Sequence, residues 1–94
     1  GAWEPLKTLR YHRYRVNALA WSPDGKYLAS GGDDKAVIIW DVGAWEPLKT
    51  LRYHRYRVNA LAWSPDGKYL ASCGFEELMI VLIEKTDFEY IIIL

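Results

Sequence analysis

The chain has 94 residues, 51% hydrophobic and 15% aromatic, with 12 Lys and Arg against 12 Asp and Glu. That length suits one small domain rather than two, the apolar content excludes wholesale disorder, and a net charge of zero names neither nucleic acid nor an anionic membrane as partner. Cys73 is the only cysteine, which excludes a disulfide framework and any zinc site built from several cysteines.

In chain order, the local signals read as four strands per repeat. Leu6 to Tyr11 mixes Leu, Thr and Tyr after Pro5, and Val16 to Trp21 is a short apolar strand holding two small residues, Ala18 and Ala20. Ser22-Pro23-Asp24-Gly25 is a tight turn, with Pro at its second position and Gly free of φ restriction at its fourth. Tyr27 to Ser30 is the next strand, Gly31-Gly32-Asp33-Asp34 turns the chain again, and Ala36 to Trp40 is a β-branched and aromatic strand. Then the pattern restarts: residues 1–30 recur unchanged as residues 43–72, a period of 42. Beyond Ser72 only Gly74 and Ile80 match their counterparts. Perfect identity followed by abrupt divergence points to a recent duplication or, the favoured reading, to a designed chain. At the end, Lys85-Thr86-Asp87 reads as a turn and Phe88 to Leu94 as an Ile-rich strand. The longest apolar run, Leu78 to Ile83, is too short to span a bilayer, and residues 1–5 do not read as a signal peptide. A soluble protein with no membrane partner is expected, its localisation left open and cytoplasmic if it is expressed in a cell.

Short strands with tight turns, four to a repeat of about 40–45 residues, are the pattern of a propeller blade. The run Ser22-Pro23-Asp24-Gly25-Lys26-Tyr27-Leu28-Ala29-Ser30-Gly31-Gly32-Asp33-Asp34, followed by Ile38-Ile39-Trp40-Asp41, resembles the WD-repeat β-propeller family. The resemblance covers repeat 1 (1–42) and most of repeat 2 (43–84). It implies an all-β fold of four-stranded antiparallel meanders, two blades per chain, and a non-catalytic platform for proteins or peptides. In that family each repeat supplies the outer strand of one blade and the inner three of the next. Residues 5–11 are then an outer strand; 16–22, 27–31, 36–41 and 47–53 make blade one; 58–64, 69–73 and 78–84 begin blade two. Residues 85–94 would supply a substitute outer strand, for nine strands in all.

Two blades leave two large apolar faces in water, and repeat proteins need several stacked units. Head-to-tail assembly of identical chains into a closed ring is therefore expected, with four chains and eight blades favoured and three chains and six blades next. Residues 5–11 and 88–94 compete for the outer edge of blade two.

The resemblance also implies a structural hydrogen-bond network of His12, Ser30, Asp34 and Trp40, with His54 and Ser72 in the second copy. By the 42-residue period Asp34 becomes Glu76 and Trp40 becomes Leu82, so the second network is expected to be the weaker. Cys73 replaces Gly31 and is expected to pack as a small residue. Arg13, Tyr14 and Arg15, repeated as Arg55, Tyr56 and Arg57, are the candidate interaction loops, since Arg and Tyr are frequent interface anchors. Arg also grips phosphate and Tyr stacks on bases, so a polyanion or nucleic acid is the alternative partner. Residues 1–72 carry eleven Lys and Arg against seven acids, and 73–94 one Lys against five acids, so the acidic end suits a neighbour's basic loops. No phosphate-binding glycine loop and no metal-ligand spacing occurs, so neither cofactor nor metal is expected, and no enzymatic activity.

Overall fold

The computed structural model describes residues 3–83 and the strand at 90–93. β1 (Val16–Trp21), β2 (Tyr27–Gly32), β3 (Val37–Asp41) and β4 (Glu46–Leu51) form one antiparallel sheet in that order. β5 (Val58–Trp63), β6 (Tyr69–Gly74), β7 (Leu78–Leu82) and β8 (Tyr90–Ile93) form the second. Among the described residues no helix is long and apolar enough to cross a membrane.

Local chemistry fixes the first hairpin of each sheet. Gly25 takes a positive φ of 74°, and its amide donates to the Ser22 carbonyl at 2.9 Å. The Ser22 hydroxyl donates to Asp24 Oδ1 at 2.7 Å, while the Lys26 amide donates to the same oxygen at 2.9 Å. The Lys26 amide first, then the Ser22 hydroxyl, hold the Asp24 carboxyl below its ordinary range. The same contacts recur at Ser64, Asp66 and Lys68. A side chain that binds its own turn in this way offers the backbone a fixed reversal.

The second hairpins differ. In sheet one Gly31 pairs with Val37, whereas in sheet two Cys73, the register equivalent of Gly31, pairs with Leu78. The β6–β7 turn is one residue shorter, so beyond it the equivalence between copies is 41 rather than 42. Val81, not Leu82, therefore takes the place of Trp40, since Leu28 pairs with Trp40 and Leu70 with Val81.

The expected outer strand at residues 5–11 is a correction. That stretch pairs with no sheet and lies mostly exposed. Residues 3–9 are identical to 45–51, and 46–51 is β4, hydrogen-bonded to the edge of β3. A strand needs an open edge to complete its ladder. The edge of β7 is taken by β8, with Met79 opposite Ile93 and Leu82 opposite Tyr90. The expected turn at 85–87 and the remaining residues of the expected strand at 88–94 lie outside the described residues.

The sheets pack face against face. Ala29, Val37, Ile39 and Leu51 of sheet one and Val58, Leu70 and Val81 of sheet two form one buried cluster. Gly31 is required at this seam: a Cβ built there would lie 2.6 Å from Val58 Cγ1 and 3.0 Å from Val58 Cβ. The seam is also hydrogen-bonded. Trp63 Nε1 donates to the Ala20 carbonyl at 2.9 Å, and Asn17 Nδ2 donates to the Val58 carbonyl at 3.1 Å. Tyr27 and Trp63 stack with ring centroids 6.2 Å apart.

Candidate functional site

Two kinds of feature compete as the functional site: polar networks inside each sheet, and surfaces the two-sheet unit leaves open. The structure brings His12, Ser30, Asp34 and Trp40 together. Trp40 Nε1 donates to Ser30 Oγ at 2.8 Å, Ser30 Oγ lies 2.7 Å from His12 Nε2, and His12 Nδ1 lies 2.9 Å from Asp34 Oδ2. With the proton on Nδ1, the imidazole donates to the carboxylate and accepts the serine hydroxyl, so each polar atom in the chain has a partner. The Arg13 and Ala36 amides also donate to Asp34, at 3.2 and 3.3 Å. Burial works against the Asp34 charge, but the His12, Ala36 and Arg13 donors outweigh it and hold its carboxyl below the ordinary range. Tyr11 closes the site, edge-on to Trp40 at 5.1 Å.

The second copy is incomplete. His54 Nε2 lies 2.8 Å from Ser72 Oγ, but Val81 stands where Trp40 donated. The carboxylate comes from Glu77, not from Glu76 as the period implied. The Arg55 amide donates to Glu77 Oε1 at 2.6 Å, the counterpart of the Arg13 amide on Asp34. The extra methylene of Glu spans part of what the shortened turn removed. His54 Nδ1 nevertheless stays 3.5 Å from Glu77 Oε1 and is buried without a hydrogen bond. At that distance the carboxylate is a weaker partner to His54 than Asp34 is to His12 at 2.9 Å. Burial opposes the Glu77 charge too, yet the Arg55 and Tyr56 amides keep its carboxyl below the ordinary range.

The candidate loops are exposed in both copies. Arg55, Tyr56 and Arg57 line a cavity of about 630 Å³ with Asp33, Lys35, Asn59 and Phe75. Tyr56 sets its ring edge-on to Phe75 at 5.7 Å, and Arg57 Nε faces Asp33 Oδ1 at 3.9 Å. Asp33 also accepts from Asn17 Nδ2 at 2.7 Å. A carboxylate among three cations reduces the appeal of this cavity to a phosphate. The first-copy loop, Arg13, Tyr14 and Arg15, stands on the surface of sheet one.

The open surfaces are apolar. On sheet one, Val16, Leu19 and Trp21 are 45%, 63% and 58% exposed. Their identical counterparts in β5 lie in the seam: Val58 is fully buried, Leu61 and Trp63 partly so. On the far side of sheet two, Ala60, Leu61, Ala62, Ala71, Ser72, Cys73 and Leu78 line a shallow apolar groove of about 90 Å³. By strand register it is the counterpart of the sheet-one surface that receives Val58 and Leu61 at Gly31. The readable signal for both surfaces was the repeated Val-Asn-Ala-Leu-Ala-Trp, with bulky and small residues alternating.

Two antiparallel four-stranded sheets, stacked face to face in chain order, are two neighbouring blades of a β-propeller. The sequence profile of the WD domain, G-beta repeat family matches residues 3–41 and 45–77, and the chain belongs to that family. It is 49% identical over 39 residues to protein HIR1 of Kluyveromyces lactis, a match covering 42% of this chain and 4% of that protein. It is 62% identical over 29 residues to protein HIRA of Dictyostelium discoideum, covering 31% of this chain and 3% of that one. The solved structure of U3-55K superposes with a TM-score of 0.81 at 27% identity, over 92% of this chain and 28% of that chain. The chain thus spans a small fraction of the length of each relative.

Proposed function

We propose that the chain is a non-enzymatic interaction scaffold whose first partner is another copy of itself. Val16, Leu19 and Trp21 of one chain enter the groove at Ala60, Ala62, Ala71, Cys73 and Leu78 of the next, and the ring closes with four chains and eight blades, or with three chains and six. The observation that carries this is the seam within the chain, where the same six-residue strand already occupies the equivalent surface. Burying Val, Leu and Trp side chains contributes roughly 1.5–3 kcal/mol each. Protein or peptide partners would then meet the completed ring, as suits a family of platforms.

The Ser30-His12-Asp34 chain supports the non-enzymatic reading despite its triad-like order. Ser30 is 3% exposed, its oxygen already accepts from Trp40, and no substrate carbonyl can approach it. The test is sedimentation velocity of wild type against Leu19→Asp. Wild type is expected to sediment as one closed species and the variant as a single chain; identical profiles for the two would overturn the reading. Polyanion binding at Lys35, Arg55 and Arg57 is the second reading, and the Asp33 carboxylate in the same cavity counts against it. It requires binding that weakens with salt and disappears in Arg55→Ala/Arg57→Ala.

A further inference from the structure

The groove on the far side of sheet two is not a faithful copy of the surface that receives Val58. Three positions differ: Cys73 stands for Gly31, Leu78 for Val37 and Phe75 for Asp33. The first decides the fit. Within the chain, a Cβ at Gly31 would meet Val58 Cγ1 at 2.6 Å and Leu61 Cδ1 at 3.6 Å. Carbon atoms settle at about 3.5–4.0 Å, and valine is stiff at χ1, so its methyl does not swing aside. Cys73 carries that Cβ, with a sulfur beyond it. The loss of Asp33 removes the carboxylate that faces Arg57 at 3.9 Å and accepts from Asn17. An incoming Arg15 would find no carboxylate there, since Phe75 packs edge-on to Tyr56. What survives is the Trp21 indole, able to repeat the Trp63 hydrogen bond to a strand carbonyl, Asn59, able to repeat the Asn17 hydrogen bond to the carbonyl of the incoming valine, and Tyr69, able to repeat the stacking of Tyr27.

We propose that Cys73 holds the next chain's Val16 off its seat, so that the seam between chains is wider and weaker than the seam within a chain. This rests on the self-assembly reading above and assigns the residue that sets its strength. The occupant of the groove is a second copy of this chain, because its strand is the one already seated at the equivalent place. A weak joint between strong two-blade units makes the ring reversible by dilution while each unit stays folded.

The test is the dissociation constant of the assembly, from sedimentation equilibrium of the full chain. Cys73→Gly is expected to tighten assembly by about tenfold or more. Cys73→Ser keeps the Cβ and is expected to match wild type, which separates shape from thiol chemistry. Val16→Ala removes the same methyls from the other side: it is expected to weaken assembly of the Cys73→Gly chain, where Val16 is seated, and not to weaken that of wild type. This coupling persists even if Cys73→Gly lowers the stability of its own strand. Assembly of wild type with no gain in Cys73→Gly would overturn this proposal alone. Chains that stay single at every concentration, in both backgrounds, would overturn the self-assembly reading with it.

Discussion

Val16–Trp21 and Val58–Trp63 are the same six residues, with identical residues on either side, and they end in different environments. The second copy is buried against sheet one; the first faces solvent along the same side chains. Residues 3–9 and 45–51 repeat the contrast at the level of backbone. The second copy ladders onto β3, while the first finds no free edge. Intrinsic propensity cannot separate these pairs, because it is equal within each. What separates them is whether a neighbouring surface is present, which is the dependence of β structure on context in its barest form.

The largest way to sharpen the comparison is a charge at each of the paired valines. Val58→Asp buries an unpaired carboxylate and is expected to cost about 3 kcal/mol or more in urea unfolding. Val16→Asp, measured on the dissociated chain, is expected to change stability by less than about 0.5 kcal/mol. Equal losses at both sites would break the comparison.

Transferring the cysteine comes next. Gly31→Cys gives the inner seam the Cβ that the outer groove already has, and is expected to destabilise the chain by about 1–3 kcal/mol. An unchanged urea midpoint would mean that the seam yields more readily than its 2.6 Å approach implies.

The two polar networks supply a smaller contrast. Asp34→Asn is expected to cost roughly 1–2 kcal/mol at pH 7, since it removes a charged acceptor from His12. The Asp34 carboxyl is held below its ordinary value when folded, so its contribution is complete above the unfolded value near pH 4 and is lost as pH falls through the folded one. The gap between wild type and variant should therefore close in acid. Glu77→Gln, in the network where His54 Nδ1 meets the carboxylate only at 3.5 Å, should produce the smaller loss.

Smallest is the turn that only the first copy has. Lys35 sits at φ 68°, a left-handed conformation, and Lys35→Gly is expected to stabilise by about 0.5–1 kcal/mol. A loss in thermal melting would show that the Lys35 side chain holds the turn by its contacts.

The strands and first hairpins were legible in the sequence because each is decided within a few residues. Ser22, Asp24 and Gly25 close their turn with their own side chains and one positive φ. The family resemblance was legible for the same reason. The partner of His54 was not: counting by 42 selects Glu76, and only the register of Cys73 with Leu78 shows that the turn has lost a residue and that Glu77 reaches back. Nor was the fate of residues 5–11, because an outer strand depends on an edge supplied elsewhere, here taken by β8. The open groove has no signature of its own in the sequence: Ala60, Ala62 and Ala71 become a docking surface only by comparison with the one that Val58 and Leu61 fill.

If the exposed face of β1 and the groove on sheet two are two halves of one joint, the chain must assemble. Native mass spectrometry across a dilution series tests it most directly. One closed species of four or three chains is expected, falling apart into intact single chains on dilution. A chain that remains single at the highest concentration, or a continuous ladder of open oligomers, would contradict it.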